Sequence, residues 1–387
     1  MKKVWLSLIV LWLVFMLAAC AAQRTSGESI VSPLLFPEPE ADFEQWQEKV
    51  RAHVTSVSMS HRSRDDIELN LPFSVRANPA VPFRGKFLLV HGLNDSAYVW
   101  RDMATEIADL GYEVRAILLP GHGSHPRQML EVRYQQWLDV TREHFRLWDT
   151  GDAPIYVGGY SMGGVLATIL ALENPHISGL LLVSPAYHSR LNSYLRWAWL
   201  YRRFRPWLFG GMIGEDNPGK YNSIPINSAD QYYRITRYLK RNWDKKLSMP
   251  SLLVISTDDS VVDHSVVRER FVHRFTHDER MLITYSNEPL AAVTNEIIRP
   301  SAYPQLRILN QSHLSLINSP ANPLLGQAGT LLVCNGNEPE IFFGCMRASN
   351  HWFGAQNTPS PDDQKVARST YNPDFGTIVE SFQKVFH

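Results

Sequence analysis

The chain has 387 residues, of which 44% are hydrophobic and 20% are charged. This composition is that of a folded protein with a large core, arranged as one large or two modest domains, and it excludes a chain that is disordered throughout. The 38 basic and 38 acidic residues give a formal net charge of zero. The overall field therefore favours neither nucleic acid nor an anionic surface, and any electrostatic attraction has to be local.

The N-terminal residues have the three parts of a signal peptide. Lys2–Lys3 is the positively charged start, Val4–Met16 is the apolar stretch, and Leu17–Ala19 provides small residues for cleavage. Cys20 follows immediately. We therefore predict that residues 1–19 are a targeting segment and not part of the fold.

A signal that ends in this way resembles that of bacterial lipoproteins, whose cysteine is fatty-acylated and becomes the mature N-terminus. The resemblance implies a membrane anchor at Cys20, and it implies the outer membrane, because Ala21 is not the aspartate that retains lipoproteins at the inner membrane in enterobacteria-like systems. The alternatives are an ordinary secretory signal cut nearby and an uncleaved anchor, for which the apolar stretch is slightly short. Residues 20–41 are polar and Pro-rich, which predicts a tether.

After the tether, helical and strand patterns alternate. Apolar residues three to four apart predict a helix from Asp42 to about Val57, and short alternating runs predict two early antiparallel strands at Ile67–Leu71 and Phe73–Val75. Next come continuous apolar runs, which are typical of buried parallel strands. Strands of this kind that are separated by helices predict an α/β fold with right-handed crossovers. The predicted buried strands are Gly85–Val90, Tyr112–Leu119, Ile155–Val157, Ile177–Pro185, Pro250–Ser256 and Leu306–Leu309, with Met281–Tyr285 strand-like but unassigned, and the predicted helices are Tyr98–Leu110, Leu130–Trp148, Val165–Leu172 and Phe375–Phe386.

The alternation stops at residues 188–248, where aromatic and basic residues are concentrated. One interpretation is a helical lid over the C-terminal edge of the sheet, where α/β sheets bind ligands. A second is an aromatic face that packs on the body of the protein. A third is a surface that lies in a membrane interface, where Trp and Tyr beside Arg and Lys are common.

Ser161 lies in a Gly-x-Ser-x-Gly pattern whose glycines are Gly159 and Gly163. A strand pattern precedes it and a helix pattern follows, which is the context of a nucleophile elbow, where glycines leave room for a strained turn that exposes the serine hydroxyl. A serine hydroxyl becomes a good nucleophile only when a base accepts its proton and an acid orients that base. Sequences with such an elbow have the acid and then the histidine later in the chain.

Both partners have candidates at the expected places. The turn Thr257–Asp263 follows a predicted strand and contains three aspartates, of which Asp263 is expected to cap the next helix. His313 follows the last predicted strand. His351 is a weaker alternative, in a C-terminal segment at about 319–387 that is longer than the single helix needed there.

Four motifs in this order resemble the α/β-hydrolase superfamily, in particular its serine aminopeptidase and monoacylglycerol-lipase-like branch. They are His91–Gly92, Gly159–Gly164, Asp259–Asp263 and Ser312–His313, and the resemblance covers about residues 85–318. It implies the α/β-hydrolase fold, a mostly parallel sheet flanked by helices with a helical lid insertion, and a reaction without a cofactor or a metal.

The resemblance also implies a role for each residue. Ser161 is the expected nucleophile, and His313 is the base and then the acid. The acid of that branch precedes a small apolar pair, which selects Asp259 to orient the imidazole and leaves Asp258 as the alternative.

An oxyanion intermediate needs backbone N–H donors, and the expected ones belong to Met162 and Leu93. By the same resemblance, His91–Gly92 shapes the loop that contains Leu93 and transfers no proton. His122 and His125 flank a glycine turn without a nearby third ligand, which favours loop packing over a metal pair.

Two cysteines remain besides the one in the signal. In an oxidising compartment, Cys334 and Cys345 are expected to form one local disulfide that closes a C-terminal loop. Two buried free thiols are the alternative.

The main hypothesis is a lipid-anchored serine hydrolase that cleaves carboxylic esters through an acyl-enzyme. A small-molecule substrate resembling a monoacylglycerol or a lysophospholipid is favoured because the predicted lid is so aromatic. A serine peptidase of aminopeptidase type is the first alternative, although the lid lacks the excess of acidic groups that would hold a substrate amine, and an acyltransferase is the second. The non-enzymatic alternative is an envelope binding protein on a hydrolase scaffold.

Overall fold

A computed structural model describes residues 35–359 and 365–386. The predicted signal peptide and the predicted acylation site Cys20 lie outside these residues. Within them, no helix is both long enough and apolar enough to cross a membrane.

The described residues form an α/β structure built on an eight-stranded sheet, as the sequence predicts. The strand order is β1-β3-β2-β4-β5-β6-β7-β8, and only the β1–β3 pair is antiparallel. The strands are β1 (Phe73–Val75), β2 (Gly85–Val90), β3 (Tyr112–Ile117), β4 (Ile155–Tyr160), β5 (Gly179–Val183), β6 (Ser251–Ser256), β7 (Met281–Ser286) and β8 (Glu296–Pro300).

Helices cover both faces of this sheet, and each face has its own apolar core. In β2, Leu88 and Val90 point to one core and Phe87 and Leu89 to the other, because successive side chains of a strand point to opposite faces. The helices are α1 (Phe43–Val57), α2 (Arg64–Asn70), α3 (Arg101–Asp109), α4 (Tyr134–Trp148), α5 (Met162–Glu173), α6 (Asn192–Leu195), α7 (Ala198–Tyr201), α8 (Ile226–Asn242), α9 (His264–Arg274), α10 (Pro339–Arg347) and α11 (Phe375–Val385), with 3₁₀ turns at Ala97–Trp100, Pro126–Leu130 and Pro304–Leu306.

Helix α1 forms where the apolar spacing predicts it. The Asp42 side chain accepts hydrogen bonds from the N–H groups of Glu44 and Gln45, which satisfies two of the free donors of the first turn. Trp46 is fully buried, and its indole N–H donates to the carbonyl of Pro37. Because Phe36 is also buried, the last residues of the predicted tether pack on the body of the protein.

One early strand was predicted wrongly. Ile67–Leu71 lies largely in α2, which begins with a capping box between Ser63 and Asp66. The five-residue run fits the alternation of a strand and also the spacing of a helix, since Ile67 and Leu71 are four residues apart. The capping box decides for the helix. Phe73–Val75 is a strand as predicted, antiparallel to β3.

The last strands also differ from the prediction. The unassigned run at Met281 is β7, and β8 at Glu296–Pro300 is the final strand of the sheet, in place of Leu306–Leu309. At the predicted position the chain makes a 3₁₀ turn, and Arg307 has a left-handed backbone with φ 58°. Proline at the start of this turn cannot donate a ladder hydrogen bond, which favours the turn over a strand.

The chain between β5 and β6, residues 188–248, is called the insertion. It contains α6, α7 and α8, and α8 packs against α5 and α4. The C-terminal segment contains α10, the parallel strands β9 (His351–Gly354) and β10 (Lys365–Arg368), and α11, whose Phe382 packs against Phe87 of the sheet. A disulfide joins Cys334 to Cys345.

Candidate active site

The predicted chemical residues lie at one edge of the sheet. Ser161 directly follows β4, Asp259 lies in the turn after β6, and His313 lies in the loop after β8. Parallel strands end at the same edge, so these three turns meet. His313 Nε2 is 3.0 Å from Ser161 Oγ, and His313 Nδ1 is 2.6 Å from Asp259 Oδ2.

The backbone at Ser161 has the strained conformation of an elbow. Its φ is 54° and its ψ is −118°, a region that costs a non-glycine residue about 1–3 kcal/mol. Three backbone hydrogen bonds hold it there, since Ser161 N–H donates to the carbonyl of Val183, and Gly164 and Ala186 donate to the carbonyl of Ser161. A Cβ atom at Gly163 would lie 2.0 Å from the carbonyl oxygen of Val90, so only glycine fits there.

Asp259 is the only one of the three aspartates in its turn that contacts His313. Its other carboxylate oxygen accepts hydrogen bonds from the N–H groups of Val261 and Val262, at 2.7 and 2.9 Å. Burial by itself would raise the pKa of Asp259, but the nearby His313 and these hydrogen bonds outweigh it and lower the pKa. The carboxylate is therefore ionised and fixed in orientation.

The other two aspartates have different surroundings. Burial raises the pKa of Asp258, whose backbone N–H donates to the Ser256 hydroxyl. Asp263 caps α9 by accepting from the N–H of Ser265. The alternative base His351 lies in β9, where its ring nitrogen is 2.9 Å from the carbonyl oxygen of Cys345, and it takes no part in the cluster.

The loop after β2 lies directly against Ser161. A Cβ atom at Gly92 would be 3.0 Å from the Cβ of Ser161, so glycine lets the backbone next to Leu93 approach the serine. Met162 is the first residue of α5, and the N–H groups of a first helical turn are free of intrahelical partners. The two predicted oxyanion donors therefore belong to backbone segments that adjoin Ser161.

His91 shapes this loop as a neutral ring. Its Nε2 accepts the N–H of Leu119 at 3.1 Å, and its Nδ1 donates to the carbonyl of Gly92 at 2.8 Å. Burial lowers the pKa of His91 to about 4. The ring of His122 lies 4.8 Å away, and its Nδ1 is 3.1 Å from the carbonyl oxygen of Pro120, while His125 Nδ1 accepts the N–H of Arg127, so both are involved in loop packing.

The sequence of the chain is similar to those of known hydrolases. The chain matches the family described as serine aminopeptidase, S33, over residues 82–218, which include Ser161 but neither Asp259 nor His313. It is 28% identical over 193 residues to a thermostable monoacylglycerol lipase of Bacillus sp. (strain H-257), which covers 45% of this chain and 70% of that protein. The chain has the α/β-hydrolase fold, and its sequence is similar to that of serine hydrolases.

Two further similarities are shorter or more distant. The hydrolase is 29% identical over 101 residues to the phospholipase YtpA of Bacillus subtilis (strain 168), over 25% of this chain and 39% of that protein. A structure of a metagenome-derived lipolytic enzyme, from work on LipS and LipT, superposes with a TM-score of 0.48 at 22% identity, over 55% of this chain and 86% of that one. The two relatives matched by sequence are therefore a lipase and a phospholipase.

The insertion of the hydrolase is bonded to the loop that contains Leu93. Tyr221 N–H donates to the carbonyl of Asn94 at 2.8 Å, the Ser96 hydroxyl donates to the carbonyl of Gly219 at 3.0 Å, and Lys220 Nζ is 2.9 Å from Asp95 Oδ1. Sequence reasoning missed these contacts because they join residues more than a hundred positions apart. No local pattern encodes them.

The C-terminal segment holds the loop of His313. Ser312 N–H donates to Ser369 Oγ at 2.8 Å, and the Ser312 hydroxyl donates to the carbonyl of Ser369 at 2.7 Å. On the other side, the Tyr160 hydroxyl donates to the carbonyl of His313 at 3.0 Å. The segment that exceeds the expected α/β-hydrolase pattern is therefore a support for the histidine loop.

A small cavity lies beside Tyr160, between the insertion and the C-terminal segment. Its volume of about 30 Å³ fits one or two water molecules and is too small for an acyl chain. Its walls combine the Asp95–Lys220 ion pair with apolar side chains such as Leu314 and Leu325.

Proposed function

We propose that this α/β-hydrolase cleaves carboxylic esters of lipid-like molecules through an acyl-enzyme formed on Ser161. The observation that carries the proposal is the continuous hydrogen-bonded chain from Ser161 through His313 to Asp259. All three side chains are buried, and the serine is in the strained elbow conformation. This arrangement activates a hydroxyl oxygen for attack on a carbonyl carbon.

The steps follow from the geometry. His313 Nε2 accepts the proton of Ser161 while Oγ attacks the ester carbonyl, and the N–H groups of Leu93 and Met162 stabilise the oxyanion. His313 then donates that proton to the leaving alcohol, which leaves an acyl group on Ser161. Water, deprotonated by His313, releases the acid. Asp259 keeps the Nδ1–H bond of the imidazole in place and stabilises the imidazolium ion.

The substrate class is supported by two independent observations. The relatives named above are a monoacylglycerol lipase and a phospholipase, and both names refer to lipid substrates. The insertion next to the catalytic edge exposes many aromatic side chains, which suit contact with acyl chains. We therefore propose a monoacylglycerol-like or lysophospholipid-like substrate.

A serine peptidase is the second candidate, because the family match is to a serine aminopeptidase family. Binding an N-terminal amine requires a free carboxylate near the serine. Within the described insertion, Asp230 is paired with Arg202 and Arg234, and the Glu215 side chain accepts the N–H groups of Asn222 and Ser223. The carboxylates of Asp230 and Glu215 are therefore not free to bind an amine, which weighs against the peptidase.

Replacing the nucleophile tests the proposal. Ser161→Ala should lower the hydrolysis of p-nitrophenyl acyl esters by at least about 10⁴-fold and should abolish covalent labelling by a fluorophosphonate, because the attacking oxygen is gone. Ser74→Ala, at an exposed position of β1, is the matched control and should keep both.

The same assay separates the alternatives. Turnover of aminoacyl amides above that of acyl esters would favour the peptidase, and acyl transfer to an added alcohol above hydrolysis would favour an acyltransferase. A wild-type protein that is folded but is not labelled at Ser161 would contradict a hydrolase and support a binding role.

A further inference from the structure

The first part of the insertion has an unusual outer surface. Tyr194 is 74% exposed, Phe204 68% and Phe209 59%, values that large apolar side chains seldom reach. They lie within one short stretch of the insertion, and a concentration of exposed apolar side chains marks an interaction site. We call this the aromatic–arginine surface, made up of Leu191, Tyr194, Trp197, Tyr201, Phe204, Phe209 and the exposed Arg196, Arg203 and Arg205.

The aromatic side chains face outward because the inner side of this segment is already bonded to the protein. Leu208 N–H donates to the carbonyl of Ile224 at 2.9 Å, and Trp207, the residue before it, is buried. Arg202 binds Asn227 and lies 3.4 Å from Asp230. The segment is therefore held in place with its apolar residues pointing to solvent.

The charge of this surface is entirely positive. Between Ser189 and Gly214 the sequence contains arginines but no aspartate or glutamate, although the whole chain is neutral. Neither Arg203 nor Arg205 forms an ion pair with any residue that the structure describes. Arg196 stacks over the ring of Trp197 at 5.3 Å, which leaves its guanidinium free to bind a further anion.

We propose that the aromatic–arginine surface docks on a bilayer that contains anionic phospholipids. Guanidinium groups bind phosphate in a bidentate manner, and Trp and Tyr rings favour the depth of the headgroups. A protein partner of opposite charge would need acidic residues interspersed with an apolar face, whereas a bilayer supplies phosphate and hydrocarbon together. The combination of free arginines with exposed aromatic rings therefore favours the lipid surface.

The aromatic–arginine surface is connected to the catalytic edge. Arg190, the residue before it in the chain, donates from its backbone N–H to the carbonyl of Val261 and from its guanidinium to the carbonyl of Thr257, both in the turn that contains Asp259. Docking would place this edge next to the membrane, where the lipid-like substrate of the proposed function is dissolved. Only this use of the surface rests on the proposed function, and the binding itself does not.

Docking also complements the proposed acylation of Cys20, which loss of a fatty-acid label from a Cys20→Ala variant would test. A basic patch strengthens the membrane attachment of a lipid-anchored protein as a second signal. The aromatic–arginine surface is such a signal within the folded part of the chain. It also orients the hydrolase, which a lipid anchor alone does not.

Vesicle sedimentation tests the docking. The probe is the predicted mature chain from position 20 onward with Cys20→Ser, mixed with vesicles of phosphatidylcholine or of phosphatidylcholine with about 30% phosphatidylglycerol. Each arginine near an anionic surface is worth roughly fivefold in binding. The variant Arg196→Gln/Arg203→Gln/Arg205→Gln should therefore bind the anionic vesicles about a hundredfold more weakly, and added salt should remove most of the difference.

The apolar contribution needs its own variant. Tyr194→Ser/Phe204→Ser/Phe209→Ser should lose at least about tenfold in binding to both kinds of vesicle. The matched controls carry equal numbers of substitutions at exposed positions elsewhere and should bind as the wild type. They are Arg64→Gln/Arg76→Gln/Arg347→Gln and Phe83→Ser/Phe343→Ser/Met346→Ser.

Every other outcome overturns the proposal. Binding that is equal in the surface variants and in their controls would show that this surface does not contact lipid. Concentration-dependent self-association that the apolar variant abolishes, without vesicle binding, would show that a second copy of the chain covers the surface instead. Ser161→Ala should bind vesicles normally, so failure of the catalytic proposal and failure of docking are separate results.

Discussion

The catalytic edge and the aromatic–arginine surface both depart from the usual rule that apolar side chains are buried and polar ones exposed. They depart from it in opposite directions. At the catalytic edge, polar side chains are buried and each is oriented by named partners, as Asp259 is by His313 and two backbone N–H groups. On the aromatic–arginine surface, large apolar side chains are exposed, and the adjacent arginines Arg203 and Arg205 lack ion pairs within the described residues. Both arrangements cost stability in an isolated domain, so both indicate function.

The difference shows what each region has to do. A reaction site needs fixed geometry before the substrate arrives, so its polar groups are satisfied within the protein. A docking surface finds its partners only on contact, so its groups remain unsatisfied until then. The insertion contains both kinds of structure, since Lys220 and Tyr221 belong to the ordered side and Tyr194 and Phe204 to the open side.

The largest difference between the two regions is expected in the stability lost when a glycine is replaced by alanine. Gly163→Ala places a Cβ atom 2.0 Å from the carbonyl oxygen of Val90, in a backbone that cannot move without displacing Ser161, and should destabilise the protein by more than about 3 kcal/mol. Gly211→Ala, in the insertion, meets no atom within 4 Å and should change stability by less than about 1 kcal/mol in either direction. Thermal unfolding measures both, and similar melting temperatures would show that the elbow is not as closely packed as described.

Acid should destabilise the catalytic edge through His91. Its pKa is about 4 in the folded protein and about 6.5 when exposed, so the unfolded chain takes up the proton first as the pH falls. The neutral His91 ring therefore contributes about 3 kcal/mol to the free energy of unfolding above pH 6.5. This contribution is lost as the pH falls from 6.5 to 4. Urea unfolding between pH 7.5 and 4 measures it.

His91→Gln provides the comparison for this pH dependence. The variant should be less stable than the wild type at pH 7.5, and its stability should fall by about 3 kcal/mol less on acidification. The decline that remains is expected from His122 and His144, whose pKa values burial also lowers. Parallel curves for the two proteins would mean that His91 is not the group that titrates. The arginines of the aromatic–arginine surface keep their charge throughout this range.

The sequence was informative where the chemistry is local. The elbow, the acidic turn and the order of serine, aspartate and histidine are patterns of a few residues at the ends of strands, and the structure brings Ser161, Asp259 and His313 together. The last strand of the sheet was predicted at Leu306–Leu309 and lies instead at β8. The apolar run at Leu306 forms a turn held by isolated bridges. A five-residue pattern at Ile67 could not distinguish a helix from a strand. The capping box that decides for the helix lies before the run, at Ser63 and Asp66.

Composition alone could not divide the insertion. Its aromatic residues formed one group in the sequence, but Trp207, Tyr232 and Trp243 are buried, whereas Tyr194 and Phe204 are exposed. Which side an aromatic residue faces depends on contacts with distant strands and helices, such as the hydrogen bond of Tyr232 to the carbonyl of Ala186. The same holds for the support of His313 by Ser369, more than fifty residues later.

The smallest effect is expected on the turnover rate when the ion pair between Lys220 of the insertion and Asp95 of the catalytic edge is removed. Lys220→Met removes the partner of Asp95, whose side chain is only 9% exposed, and lets the loop that contains Leu93 move, while the backbone bond from Tyr221 to Asn94 remains. We expect kcat for a soluble ester to fall about tenfold with little change in KM, because an oxyanion donor acts mainly in the transition state. Lys220→Arg should restore most of the rate, and Lys245→Met, at an exposed position of the insertion, should have no effect. A change confined to KM would mean that Lys220 contacts the substrate and does not position the loop.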